Sequence, residues 1–165
     1  MVYSFGPWDL DVDLDKTKEL YILNDYSKRK EFNDEFIDSL NDKQLEFFSN
    51  LNIDLNKIEI DKKIYNIDDE KGNHQRITRY LINFLIEGDF VKIPKYQKEI
   101  YSDEELNLNV PNSIKVSIDT DNLATYEIDN LHIVFKHPYF HYDDQRYKEW
   151  DCHQILGSIL KIIEE

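Results

Sequence analysis

Residues 77–88, ITRYLINFLIEG, decide how the rest of the chain is to be assembled. Ile77, Tyr80, Leu81, Phe84 and Leu85 recur at i, i+3, i+4, i+7 and i+8, which is the period of an amphipathic helix. Gly88 stands where such a helix would end. The spacing predicts a helix in the middle of the chain.

Immediately upstream, Asp69 to Asn73 reads as a polar turn, and Lys57 to Ile67 alternates Ile58, Ile60 and Ile64 with charged residues, as a strand does. Further back, Asn41 or Asp42 caps a helix that buries Leu45, Phe48 and Leu51, and Ser27 caps another that carries Phe32, Phe36, Ile37 and Leu40. Asp15 caps a short helix running through Leu23. From Val2 to Leu14, the residues Leu10, Val12 and Leu14 alternate with Asp9, Asp11, Asp13 and Asp15, so a strand with one wet face is expected.

Downstream, an extended segment from Phe90 to Ile93 and an acidic loop at Ser102 to Glu105 precede three short strands, expected as a meander. These are the run through Ile114, Val116 and Ile118, then Thr125 to Ile128, then Leu131 to Phe135, with turns at Asp119 to Asn122 and at Asp129 and Asn130. Ile155, Leu156, Ile159, Leu160 and Ile163 predict a closing amphipathic helix that begins near Lys148 to Asp151. Helices, then strands, then a helix is the order of an α+β fold. The expectation is a single domain over residues 1–165, with N-terminal helices packed on a small antiparallel sheet and a C-terminal amphipathic helix.

Charge narrows the choice of partner. The chain holds 34 acidic and 20 basic side chains, a net charge of −14 in 165 residues. A field of that sign repels phosphate backbones and anionic membranes and draws in basic surfaces over a Debye length of roughly 10 Å. Neither a nucleic-acid partner nor a membrane is therefore expected. Residues 1–60 carry 14 acidic and 7 basic side chains, residues 61–100 carry 7 and 8, and residues 101–165 carry 13 and 5. The acidity thus belongs to the two ends. In the last third, Asp103, Glu104, Glu105, Asp119, Asp121, Glu127 and Asp129 have only Lys115 among them, and they are the expected contact surface for a basic protein. Surface charge of this kind also serves solubility alone.

With 13% aromatic residues the chain can build a core. The segment Met1 to Trp8 lacks the basic and apolar regions of a signal peptide. Cys152 is the single cysteine, which suits a reducing cytoplasm. Apolar runs such as Tyr80 to Ile86 and Ile155 to Ile163 fall short of the roughly 20 residues that span a bilayer.

Candidate chemistry is sparse. His132, His137, His141 and His153 lie near Cys152, Asp143 and Asp144, and these are the donor types of a zinc site. Pro138 between His137 and His141 argues against a helical ligand pair, and adjacent Cys152 and His153 would point about 100° apart on a helix. The run from Asp9 to Asp15 resembles the start of a calcium loop, but Leu14 and Leu20 occupy the positions that require Gly and Glu. No phosphate loop or nucleophile elbow occurs, so no enzymatic activity, cofactor or metal is expected.

The stretches FGPWDLDVDLDKTKELY (residues 5–21), HIVFKHPYF (residues 132–140) and WDCHQILGSILK (residues 150–161) resemble segments of the small acidic immunity proteins of bacterial polymorphic-toxin and contact-dependent inhibition systems. That resemblance implies a cognate toxin domain, often a basic nuclease, bound in the cytoplasm and blocked at its active site. It assigns no binding residue. Two alternatives remain at this stage: a DNA mimic that occupies a DNA-binding enzyme, and a metal-assisted hydrolase using the C-terminal histidines.

Overall fold

A computed structural model describes residues 1–94, 125–138 and 153–164. Residues 77–88 are strand. They form the middle of β4 (His74–Lys92), a 19-residue strand on which the other elements are organised. The described elements run β1 (Val2–Phe5), β2 (Trp8–Val12), α1 (Leu14–Leu23), α2 (Lys30–Ser39), α3 (Asp42–Asn50), β3 (Glu59–Asp68), β4, β5 (Tyr126–Ile128), β6 (Leu131–Lys136) and β7 (Gln154–Glu164). The strands make one antiparallel seven-stranded sheet in the order β1-β2-β4-β7-β6-β5, with β3 also paired to β4. This is a single-domain α+β fold.

Three features differ from the sequence reading, each for a physical reason. The helix expected at residues 77–88 is a strand because Ile82 to Ile86 are buried without interruption, covered on both faces, which erases the alternation that marks a half-wet strand. The expected closing helix is β7, whose register on β4 runs from Ile77↔Glu164 to Glu87↔Gln154. Gly157 lies opposite Phe84 there, and a Cβ at this position would overlap the Phe84 ring, so the glycine makes room for the aromatic side chain. The expected N-terminal strand is a hairpin: Gly6, at φ 58°, and Pro7 turn the chain between β1 and β2, which pair from Val2↔Asp11 to Phe5↔Trp8.

The helices start and stop on local chemistry. Asp13, not Asp15, caps α1, its Oδ1 accepting from the Lys16 N–H at 3.0 Å. Asn41 and Gln44 form a reciprocal capping box on α3. For α2 the N-cap is Arg29; Ser27 instead donates to Asp25. The strand at Lys57 to Ile67 appears as β3, the turn at Asp69 to Asn73 closes its hairpin with β4, and Asp129 and Asn130, both at positive φ, make the two-residue turn between β5 and β6. The expected strand through Ile114 to Ile118, the loop at Ser102 to Glu105 and the turn at Asp119 to Asn122 lie outside the described residues.

The core joins α3 to the sheet through Phe47, Phe48 and Phe84, with Phe48 and Phe84 edge to face at 5.2 Å. Trp8 is fully buried against Phe135. Helix α1 has a different task. On β4, β3 pairs as far as Asn83 and β2 begins at Gly88, which leaves a gap. The buried Tyr21 hydroxyl donates to the Leu85 carbonyl at 2.6 Å and accepts from the Leu85 N–H at 2.9 Å. Thr17 Oγ1 accepts from the Glu87 N–H at 3.1 Å, and the Asp13 N–H donates to the Glu87 carbonyl at 2.9 Å. One face of α1 therefore replaces the missing strand.

Tyr21→Phe keeps the ring and leaves both Leu85 backbone groups without that partner. Leaving a buried polar group unpaired costs about 1–3 kcal/mol. Urea denaturation should give a lower midpoint at unchanged slope; an unchanged midpoint would show that the hydroxyl contributes nothing.

Candidate acidic site

Because α1 follows β2 directly and β2 lies on the far end of β4, acids from separate parts of the chain meet. Asp11 of β2, Asp13 and Asp15 at the start of α1, and Glu87 and Asp89 of β4 line a cleft of about 610 Å³, with Lys16 and His153 as its other ionisable side chains. Gly88 lines it as well. A side chain there would collide with the Asp11 carbonyl, so the glycine serves close backbone approach and not helix termination.

Each carboxylate has a definite setting. Asp13 is engaged as the α1 cap. Asp15 sits in the first turn of α1, where the helix dipole favours negative charge. Glu87 accepts from Gln154 Nε2 at 2.8 Å, and Asp89 lies 2.6 Å from His153 Nδ1. Asp11 and Asp89 are direct cross-strand partners. Like charges placed directly opposite on a sheet oppose folding. Each already has a neighbour that offsets this: Asp11 accepts from the Met1 amino group at 3.0 Å, and Asp89 has His153.

The acids expected from the sequence divide. Asp103, Glu104, Glu105, Asp119 and Asp121 lie outside the described residues. Glu127 is exposed on β5, 3.7 Å from His132 Nε2. Asp129 sits in the β5–β6 turn, which is docked on α3: Gln44 Nε2 donates to the carbonyls of Ile128 and Asp129, and Asn41 donates to the Asp129 carboxylate at 3.3 Å. Glu87 and Asp89 escaped the sequence reading because the β2–β4 pairing that brings them to Asp11 was hidden by the helical period of residues 77–88.

The histidines are dispersed. His132 faces Glu127, His137 packs on the Phe90 ring at 4.9 Å, His153 faces Asp89, and His141 and Cys152 lie outside the described residues. Among the described residues no three His, Cys, Asp or Glu side chains are grouped to hold a metal ion. No described helix is long and apolar enough to cross a membrane. No protein-family model, curated protein or solved structure matches this chain.

Two predictions follow from these settings. Asp11→Asn removes both the repulsion from Asp89 and the exposed ion pair with the Met1 amino group, two opposed contributions of up to about 1 kcal/mol each, so the melting temperature should change little; a large drop would mean that Asp11 is there for the fold. Burial holds the His137 imidazole below its ordinary value of 6.5, so the folded protein takes up that proton less readily than the unfolded chain does. The unfolded chain then binds the extra proton, and stability falls as pH drops through 6.5. The depressed Asp25 carboxylate, at about 2 through its hydrogen bonds with Lys30 and Ser27, acts only below 3.8. Melting between pH 7.5 and 5 should show this loss in the native chain and a smaller one in His137→Gln; equal slopes would exclude His137.

Proposed function

We propose that this chain is an immunity-type inhibitor that binds and neutralises a basic toxin domain, a nuclease by preference, in the cytoplasm. The observation that supports it best is the set of five carboxylates, Asp11, Asp13, Asp15, Glu87 and Asp89, that lines one cleft on a protein of net charge −14. A nuclease must attract phosphate, so its cleft is positive. An inhibitor that sets carboxylates where phosphates would lie competes for the same arginine and lysine side chains, and charge-assisted hydrogen bonds to guanidinium are strong. Complementarity of this kind mainly raises the association rate and selects the partner. The cleft is the primary contact in this reading, and Glu127, Asp129, Asp103, Glu104, Glu105, Asp119 and Asp121 are kept as further candidate contacts for a basic partner.

The test is capture from lysate of the native organism on immobilised chain, with stepwise salt elution and mass spectrometry. A matched column carries the Asp11→Asn/Asp15→Asn/Asp89→Asn variant. The expected result is one basic protein on the native column that degrades nucleic acid alone and is silent with an equimolar amount of this chain. The variant should associate with it roughly tenfold more slowly at low salt, with a flatter salt dependence. Equal association with both forms would remove the cleft from the proposal, and a captured partner that is acidic would overturn the proposal itself.

A further inference from the structure

The end of β4 remote from the acidic cleft has a different character. From Lys63 to Asp68, β3 has six consecutive exposed residues, and no described strand pairs with its outer edge. Large apolar side chains stand in water there: Ile64 is 45%, Tyr65 42% and Ile67 47% exposed. Alternation along the strand puts Ile64 on one face and Tyr65 and Ile67 on the other. On β7, which flanks β4 on its other side, Ile162 is also exposed. An edge strand with apolar residues and open backbone groups is a template for pairing with another chain.

Charge identifies the occupant. Residues 59–80 and 160–164 hold six acidic and six basic side chains, against −14 for the whole chain. This projecting end is therefore balanced in a molecule that is otherwise strongly negative, and it is the region where a second copy meets least repulsion. A basic partner gains less here than at the cleft. Within β3 the charges at the two ends of the apolar centre are held by their own chain, Lys62 by Glu35 and Asp68 by His74, so the exposed apolar residues are what a second copy meets.

We infer that β3 pairs edge to edge, antiparallel, with β3 of a second copy of this chain. A two-fold axis normal to an antiparallel sheet pairs residues on the same face. Centred on Tyr65, it sets each Tyr65 against its twin, Lys62 opposite Asp68 and Ile64 opposite Asn66. Lys63 then lies opposite Ile67. Centring on Lys63 instead would set two lysines face to face, which disfavours that register. The sheet becomes continuous across two molecules. This inference does not depend on the proposed function.

The test is sedimentation velocity on the full chain over a dilution series from high to low micromolar. A monomer–dimer equilibrium is expected. Ile67→Lys, a change at an exposed position, should give a monomer whose melting curve matches that of the native chain at dilutions where the native chain is itself monomeric. In a second arm, Tyr65→Cys in a Cys152→Ser background should form an intermolecular disulfide on mild oxidation, while Asp34→Cys on α2 should not. A chain that stays monomeric throughout overturns the inference, and so does a dimer that survives Ile67→Lys and fails to cross-link at position 65.

Discussion

The Tyr21 hydroxyl, lodged between the N–H and the carbonyl of Leu85, is the contact on which the arrangement of the sheet depends. A strand of 19 residues is too long for either neighbour to cover, and β3 and β2 divide one stretch of it between them. In the gap, buried backbone groups must be paired or the sheet is destabilised at its centre. Thr17, Leu20 and Tyr21, spaced i, i+3 and i+4, are the buried residues of α1. Two of the three carry hydroxyls that bond to β4, so a helix completes the work of a strand. The same docking fixes where α1 begins, and Asp13 and Asp15 come to the cleft as a consequence.

Much of the α+β framework can be read from local signals. Asp13, Asn41 and Gln44 act through side chains that reach only three residues, and Asp129 and Asn130 tolerate the left-handed backbone their turn requires. The two central strands cannot be read in that way. In Ile77 to Ile86 and Ile155 to Ile163 the apolar residues that fit a helical stripe also line two faces of a buried strand, and periodicity cannot separate the two. Composition does favour the strand. Ile155, Ile159, Ile162 and Ile163 are β-branched, and Gly157 would cost a helix interior about 1 kcal/mol while it accommodates Phe84 in the sheet. Asn83 and Ser158, cross-strand partners joined by a 2.6 Å hydrogen bond, are a further mark of pairing that only the partner strand reveals.

The site was half visible for the same reason. The alternating acids from Asp9 to Asp15 stand out in the sequence, but alone they describe a wet strand face. It takes the register Asp11↔Asp89 to bring them beside the acids of β4 in one cleft. Sequence distance hides this meeting, because the helical period of residues 77–88 conceals the strand that carries Glu87 and Asp89.

The two surfaces lie at opposite ends of β4, and this separation matters for both. From His74 to Asp89 the strand rises about 50 Å at roughly 3.3 Å per residue. That is several Debye lengths, so the charge at the cleft does not reach the edge of β3 with useful strength. A balanced end can then accept another copy while the acidic end keeps the full field that attracts a cationic partner. If both surfaces are used, the two-fold relation directs the clefts away from each other, and each remains open. The division of charge along one strand thus allows self-association without lowering the attraction of the acidic face, which a uniformly negative surface would not permit.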